Sequence, residues 1–283
     1  MEIELTNDGS PTLFVPELNE HYHSTKGAVT ESQHIFIRMG LEQTTAIKPR
    51  VLEIGFGTGL NAFLTLLAAE KLKRDIHYTG IELYPLKEEL VRQLGYPEQI
   101  APDRADDFYA LHRAEWNKEV TLNLHAATQP KENRPDSQIE SLARQSVNST
   151  NSLVQGCEQL NNRPQRNYRE TAVSEAGTSD APRFTLYKIE GDFTRYALNG
   201  TYDVVYFDAF APEKQPEMWE QALFDKLFDL LNPAGILTTY CSKGVVRRML
   251  QASGFKVERL PGPPNGKREI LRATKVQAGI QKE

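Results

Sequence analysis

The segment VLEIGFGTGLN, residues 51–61, places an apolar run directly before three glycines, Gly55, Gly57 and Gly59. The apolar run is typical of a buried strand, and the leucines and alanines that follow have helical spacing with few helix breakers. Glycines at such a strand-to-helix turn let the backbone turn sharply and approach another group closely. The segment therefore predicts a strand–turn–helix unit with a binding site at the turn.

The alternation of strand and helix continues through residues 50–275. Further candidate strands are IHYTGIELYP, FTLYKIEGD, YDVVYFDAFAP and GILTTYC, and helical patterns separate several of them. KVERLPGPPNGKREILRATK predicts two final strands around a loop rich in proline and glycine. This order predicts an α/β fold, a doubly wound and mostly parallel sheet with an antiparallel hairpin near the carboxyl terminus.

The chain divides by composition. Residues 1–49 predict an amino-terminal leader packed on the core, residues 50–275 the main domain and residues 276–283 a tail. Residues 126–183 interrupt the main domain, because they are crowded with Asn, Gln, Ser, Arg and Glu and poor in large apolar groups. Such a composition does not bury enough surface to offset the entropy of ordering. We predict a polar, disordered insertion there.

Composition excludes several classes of protein. The chain of 283 residues is 39% hydrophobic and has two cysteines. No apolar stretch approaches the roughly 20 residues that cross a bilayer. The acidic amino terminus is unlike a secretory signal. These features predict a cytoplasmic protein with no membrane partner, no disulfide framework and no metal site.

Acidic residues close four successive predicted strands: Glu53, Glu82, Asp192 and Asp208. The glycine spacing lacks the last glycine of a dinucleotide fingerprint, since Leu60 stands in its place, and no phosphate-binding GxxxxGK motif is present. Glu53 beside a helix amino terminus suits a ligand with an ammonium or sulfonium group. Glu82 suits ribose hydroxyls, and Asp192 an adenine amino group. The set indicates a nucleoside-like ligand, S-adenosylmethionine.

FDAFAPEKQPEMW, residues 207–219, predicts a stiff loop at the mouth of this site, because two prolines follow a strand-end aspartate. Asp208 is the candidate catalytic residue, since a carboxylate accepts a hydrogen bond or a proton from an amine. Phe210 and Trp219 either stack on a base or belong to the core, and the core is favoured for Trp219.

Basic residues outnumber acidic ones by ten to three from Cys241 to the carboxyl terminus, although the net charge of the chain is −5. Such asymmetry is typical of a surface that faces phosphates, and a solvated face without a partner explains the charge equally well.

LEIGFGTGLN, DAFAPEKQPEMW, SKGVVRRMLQASGF and GKREIL together resemble the bacterial tRNA wobble-uridine methyltransferases. These enzymes complete 5-methylaminomethyl-2-thiouridine by methylating an aminomethyl group. The leader segment DGSPTLFVPELNEHYHSTKGAVTESQHIFI is also similar to the family, and the likeness covers about residues 5–125 and 184–273. The resemblance implies a Rossmann-like, class I methyltransferase fold, with S-adenosylmethionine as co-substrate and the tRNA anticodon stem-loop as partner.

The resemblance also assigns residues to roles. Asp208 is assigned to catalysis, and Glu31 and Ser32 lie at leader positions expected near the donor or the acceptor. The residues assigned to donor binding are Tyr22, Glu53, Gly55, Gly57, Gly59, Glu82 and Asp192. Those assigned to the tRNA are Phe210, Lys243, Arg247, Arg248, Lys267 and Arg268.

Many members of this family carry a fused flavin-dependent oxidase that exposes the amine. No second glycine-rich βαβ unit occurs here, so the resemblance implies a stand-alone methyltransferase without FAD. A separate enzyme is then expected to supply the aminomethyl-uridine.

Two other functions are compatible with these motifs. An aminopropyltransferase or small-amine N-methyltransferase shares the turn and the strand-end carboxylates, but is expected to need an acidic acceptor pocket. A non-catalytic nucleotide- or RNA-binding module is expected to bind the same ligands without turnover.

Overall fold

An eight-stranded sheet organises the residues that the computed structural model describes, 1–124 and 181–276. Its strands are β4 (Arg50–Ile54), β5 (Ile76–Glu82), β6 (Glu119–Asn123), β7 (Arg183–Glu190), β8 (Tyr202–Phe207), β9 (Leu231–Thr239), β10 (Phe255–Pro261) and β11 (Glu269–Lys275). They lie in the order β10-β11-β9-β8-β4-β5-β7-β6. The five strands from β9 to β7 in this order are parallel. β6 is antiparallel to β7, and β11 is antiparallel to both β9 and β10. The predicted mostly parallel sheet with an antiparallel carboxyl-terminal hairpin is confirmed.

Seven α-helices accompany the strands in the described part of the chain. They are α1 (Ala28–Ser32), α2 (Leu60–Leu72), α3 (Glu88–Leu94), α4 (Tyr96–Ile100), α5 (Ala105–Arg113), α6 (Gln221–Leu230) and α7 (Gly244–Ala252). α2 is apolar on nearly every side and is accordingly a buried helix. None of these helices has the length and apolarity needed to cross a membrane.

The sheet separates two buried clusters of side chains, because successive residues of a strand face opposite sides. One cluster joins α2 and α5 to the leader through residues such as Leu13, Phe36 and Phe63. The other joins α6 and α7 to the sheet, and includes Trp219 and Phe224. Trp219 therefore belongs to the core, as the sequence favours, and its indole Nε1 donates to the Phe210 carbonyl at 2.8 Å.

The leader forms a small antiparallel sheet of β1 (Glu2–Leu5), β2 (Pro11–Val15) and β3 (Glu20–His21). α1 follows and continues as a π-helix over Gln33–Arg38. The segment between β3 and α1 reaches the glycine turn of the main domain, where His23 Nε2 lies 2.7 Å from the Thr58 hydroxyl.

Asp8 ties the leader turn to α1. Its Oδ1 accepts hydrogen bonds from the Ser10 backbone and the Thr6 hydroxyl, and its Oδ2 accepts from the Thr30 backbone at 2.9 Å. Burial raises the pKa of Asp8, but hydrogen bonds from the Ser10 hydroxyl, from Thr30 and from the Thr6 hydroxyl outweigh it and lower the pKa to about 2. The carboxylate therefore stays ionised and holds α1 in place.

Some boundaries differ from the sequence expectation. β9 begins at Leu231 rather than near Gly235, because a register shift between Tyr202 and Val204 of β8 takes up the intervening residues. β7 begins at Arg183, within the range predicted for the insertion. The rest of the insertion predicted to be disordered, residues 126–180, lies outside the described residues. β6 was not expected, although EVTLN alternates as a strand does.

A paired substitution tests how tightly the glycine turn is packed. Gly59 and Gly95 have φ angles of 72° and 62°, so alanine is strained at both. At Gly95 an added Cβ meets only the Glu98 carboxylate at 3.6 Å, and Gly95→Ala should lower the free energy of unfolding by about 1 kcal/mol. At Gly59 the Cβ collides with the His112 imidazole.

Gly59→Ala should therefore cost at least about twice as much, since His112 must also give up its 3.1 Å contact with the Thr58 carbonyl. Urea denaturation of the two variants measures the difference. If both variants lost the same free energy of unfolding, the turn would have room for a methyl group beside His112.

Candidate functional site

The carboxyl ends of β4, β5, β7 and β8 meet at one edge of the sheet and surround a cleft, which we call the strand-end pocket. Its wall includes Gly55, Gly57, Glu82, Asp192 and Asp208. With Tyr22, six of the eight residues that the sequence assigns to the donor and to catalysis share this pocket. The members at strand ends meet there as parallel strands require.

A second cavity, which we call the leader pocket, lies between the leader and the loops after β8 and β9. Tyr22, Phe210 and Asp208 line both pockets. The rings of Tyr22 and Phe210 make an edge-to-face contact with centroids 5.1 Å apart. Asp208 and this aromatic pair therefore form the junction of the two pockets.

The glycine turn approaches protein groups closely on the side away from solvent. Gly55 and Gly57 have φ angles of 89° and 47°, which favour glycine. A Cβ at Gly55 would lie 3.0 Å from the Asp208 carbonyl, and one at Gly57 would lie 3.0 Å from the Tyr22 ring. The absence of side chains lets the turn pack against both. Gly59 does not line either pocket, but begins α2 with φ 72° beside His112.

Glu82 is fixed by two backbone hydrogen bonds. The N–H of Gly57 donates to its Oε2 at 2.9 Å, and the N–H of Tyr84 donates to its Oε1 at 2.8 Å. Each carboxylate oxygen retains a further lone pair. Glu82 therefore presents a pre-oriented acceptor pair to the strand-end pocket, suited to neighbouring hydroxyl groups.

Asp192 is held in the same manner by Thr194. The Thr194 hydroxyl and N–H donate to its Oδ1 at 2.6 Å and 2.9 Å. The Thr194 hydroxyl in particular lowers the pKa of Asp192, so the group is an anion at neutral pH. It can accept a hydrogen bond from an amino group in the strand-end pocket.

Glu53 lies behind the wall of the strand-end pocket and lines neither cavity. The residue is 1% exposed, and its Oε2 accepts a hydrogen bond from the Tyr78 hydroxyl at 2.7 Å. Burial raises the pKa of Glu53 well above its usual value. The sequence places Glu53 beside a charged ligand. In the structure it instead lies behind the pocket wall, and its hydrogen-bond partner is the Tyr78 hydroxyl.

Asn61 donates a hydrogen bond to the Asp208 carboxylate, from Nδ2 to Oδ2 at 2.8 Å. Burial raises the pKa of Asp208 to about 7. The hydrogen bond from Asn61 acts against this rise, whereas the negative charge of the nearby Glu31 increases it. A carboxylate that titrates near neutrality can take up a proton and release it to solvent.

The leader pocket also contains a cation beside an aromatic ring and a carboxylate. Lys267 Nζ lies 3.5 Å from the centroid of the Tyr240 ring and 3.4 Å from Oε1 of Glu31. Ser32 lines the same pocket. The sequence assigns Lys267 to a phosphate-facing surface, whereas the structure turns it towards this pocket.

The other basic residues assigned to the tRNA differ in accessibility. Arg248 and Arg268 are exposed. Lys243 forms an ion pair with Glu213, and Arg247 is half-buried, with an Nε that has no hydrogen-bond partner among the described residues. The exposed arginines are the members of this set best placed to reach a large partner.

Two functional side chains were missed by sequence reasoning. Asn61 follows the last glycine of the turn by two positions, and Tyr240 follows the carboxyl end of β9. A search for all polar residues at strand ends, not only acidic ones, would have included Tyr240. No group of three or more His, Cys, Asp or Glu residues within 1–124 and 181–276 is arranged to hold a metal ion.

Comparisons with known proteins agree with this geometry. Residues 158–276 match a family described as S-adenosyl-L-methionine-dependent methyltransferase. The tRNA 5-methylaminomethyl-2-thiouridine biosynthesis bifunctional protein MnmC of Pseudomonas savastanoi pv. phaseolicola is 29% identical over 269 residues, covering 91% of this chain and 32% of that protein. The MnmC protein of Chromobacterium violaceum is 28% identical over 289 residues, covering 97% of this chain and 35% of that protein.

The chain thus spans about a third of the length of these curated relatives. Among solved structures, the crystal structure of MNMC2 from Aquifex aeolicus superposes with a TM-score of 0.59 at 22% identity, covering 99% of this chain and 72% of that chain. This likeness shows the fold, a Rossmann-like class I methyltransferase sheet. The resemblance that the sequence indicates is confirmed.

The raised pKa of Asp208 predicts how stability changes with pH. The folded protein holds this proton with a pKa of about 7, against 3.8 for the free side chain, so it binds more protons than the unfolded chain between these values. The contribution of Asp208 to the free energy of unfolding therefore falls as pH rises through this interval. Asp208→Asn cannot ionise, so the variant should gain stability relative to wild type from about pH 4 to pH 7, with a constant difference above.

Urea unfolding of both proteins at about pH 5, 6 and 8 measures this difference. Asp225→Asn is the matched control. Hydrogen bonds from Ser253 and Gln221 lower the pKa of Asp225 below its ordinary value of 3.8, so the stability difference between this variant and wild type should stay constant from about pH 5 to pH 8. A pH-independent difference for Asp208→Asn would contradict the raised pKa.

Proposed function

We propose that this chain, whose residues 158–276 match the S-adenosyl-L-methionine-dependent methyltransferases, methylates the 5-aminomethyl amine of a wobble uridine or 2-thiouridine in tRNA. When the acceptor is the 2-thiouridine, the product is 5-methylaminomethyl-2-thiouridine. The observation that carries the proposal is the position of Asp208 at the junction of the two pockets, with a pKa of about 7. A base at that junction can act on an amine that enters from one side while a methyl donor occupies the other.

The strand-end pocket fits S-adenosylmethionine by the chemistry of its wall. Glu82 is an acceptor pair of the kind that binds ribose hydroxyls, and Asp192 is an anion suited to the adenine amino group. S-adenosylmethionine supplies an electrophilic methyl group on a sulfonium. The glycine turn leaves room for its body along the carboxyl ends of β4 and β5.

The leader pocket receives the acceptor. Asp208 takes a proton from the substrate ammonium, which exposes the lone pair of the nitrogen. That nitrogen forms a bond to the methyl carbon as the carbon–sulfur bond breaks and its electrons stay on sulfur. Tyr22 and Phe210 at the junction limit the directions from which the amine can approach, which favours in-line geometry.

The anticodon loop of tRNA is the partner that suits this arrangement. Its bases are already single-stranded, so extruding one into a pocket costs little. The exposed Arg248 and Arg268, with Lys243, supply positive charge for the phosphate backbone. We assign the reaction to the cytoplasm, with a separate enzyme making the aminomethyl group.

A small-amine N-methyltransferase is the second candidate. The leader pocket is lined by three carboxylates, Glu20, Glu31 and Asp208, and by two lysines, Lys243 and Lys267. The excess of carboxylates suits a cationic acceptor. A free polyamine would satisfy the same carboxylates without contact to the basic surface.

The first test is transfer of labelled methyl from S-adenosylmethionine to bulk tRNA from cells that lack this gene. We expect label in a 5-methylaminomethyl nucleoside after digestion and mass analysis. Asp208→Asn should lower turnover by about 10²-fold at saturating donor and tRNA, because the proton acceptor is lost. Label on free polyamines alone would favour the small-amine function instead.

The tRNA surface is tested by the salt dependence of binding. Arg248→Ala should weaken tRNA binding and reduce the slope of log K against log salt by roughly one, since one phosphate contact is lost. Lys71→Ala is the control, because Lys71 is exposed at the far end of α2, near the opposite edge of the sheet. Fluorescence anisotropy over a salt series measures both, and donor affinity should not change. An unchanged slope in Arg248→Ala would exclude Arg248 from the tRNA contact.

A further inference from the structure

Glu31 is a buried carboxylate with an unused oxygen. The residue is 9% exposed on α1, and its Oε1 forms no hydrogen bond with any residue of the described ranges. Lys267 Nζ lies 3.4 Å away, but not in hydrogen-bonding geometry. A buried anion that lacks hydrogen-bond donors is costly unless a ligand supplies them. Because Glu31 lines the leader pocket, that ligand would enter there.

Tyr240 provides a second surface for a cation at the same place. Its ring face lies 3.5 Å from Lys267 Nζ, measured to the centroid. Its hydroxyl donates to the Ala209 carbonyl at 2.7 Å, which fixes the ring next to Asp208. A carboxylate beside an aromatic face is a combination that binds ammonium groups.

Lys267 differs from its two partners in how firmly it is held. Its side chain is 41% exposed and extends from the loop between β10 and β11. Glu31 sits on a helix, and Tyr240 is anchored by its hydroxyl. A half-exposed lysine in an ion pair contributes little to stability and exchanges readily with solvent or with another cation.

We propose that Glu31 and Tyr240 form the subsite for the charged acceptor amine, and that Lys267 occupies this subsite until the substrate enters. The proposal rests on the proposed function, because it assigns the amine of the modified uridine to a particular carboxylate. The two acidic groups then have separate tasks. Glu31 holds the ammonium, and Asp208 takes its proton.

Binding without turnover tests the subsite. One tRNA is prepared with 5-aminomethyl-2-thiouridine at the wobble position and one with 2-thiouridine, and both are titrated in the absence of S-adenosylmethionine. Wild type should bind the amine-bearing tRNA about tenfold or more tightly, as a charge-assisted hydrogen bond predicts. Glu31→Gln should abolish this preference and leave the affinity for the other tRNA unchanged.

Three further substitutions separate binding of the amine from a general loss of tRNA affinity. Glu42→Gln removes an exposed carboxylate of the leader outside both pockets, and should keep the preference. Lys267→Met should increase the preference without weakening the binding of the 2-thiouridine tRNA, because the resident cation is gone. Tyr240→Phe retains the ring face and should keep part of the preference, whereas Tyr240→Leu should lose more of it.

A Glu31→Gln variant that retains the wild-type preference would overturn the subsite. If Lys267→Met lost the preference, the proposed displacement of Lys267 by the substrate amine would be overturned. If the variant bound both tRNAs more weakly by the same factor, Lys267 would instead be assigned to a contact with the tRNA phosphates. Methyl transfer by wild type to the same amine-bearing tRNA is measured in parallel. Transfer without a binding preference overturns the subsite alone, whereas a preference without transfer overturns the proposed function alone.

Discussion

The hydrogen bond between the Asn61 amide and the Asp208 carboxylate joins the two elements on which the site depends. Asn61 belongs to the first turn of α2, directly after the glycine turn, and Asp208 directly follows β8. Gly55 packs against the Asp208 carbonyl at the same place. The position of the central carboxylate is therefore set by the sheet and by a buried helix, and not by a surface loop. Behind this pair, Glu53 and Tyr78 form a further buried hydrogen bond with each other.

The sequence predicts that the site lies at the carboxyl ends of the parallel strands. It does not predict the direction in which each side chain points. The carboxyl ends of parallel strands meet at one edge whatever their register, so Glu82, Asp192 and Asp208 come together as expected. Whether a strand residue faces a pocket depends on its neighbours in the sheet. Glu53 is directed towards Tyr78 because β4 pairs with β5 in a register that no local pattern specifies.

The basic residues near the carboxyl terminus show a second limit of prediction from the sequence. The sequence shows an excess of basic residues there, but which carboxylates form ion pairs with them depends on the tertiary fold. Lys267 meets Glu31 only because the hairpin of β10 and β11 returns to the leader, and Lys243 meets Glu213 across two loops. The acidic character of the leader pocket was likewise hidden, since Glu20 and Glu31 are distant in sequence from Asp208. Asn61 and Tyr240 are neutral, so a search restricted to acidic residues at strand ends does not include them.

The shared wall of the two pockets has a thermodynamic consequence. Tyr22 and Phe210 line both cavities, and their rings are in contact with each other. A ligand in either cavity therefore lies against rings that also bound the other cavity. Any effect that a ligand in one cavity has on the affinity of a ligand in the other must be reciprocal and equal in size.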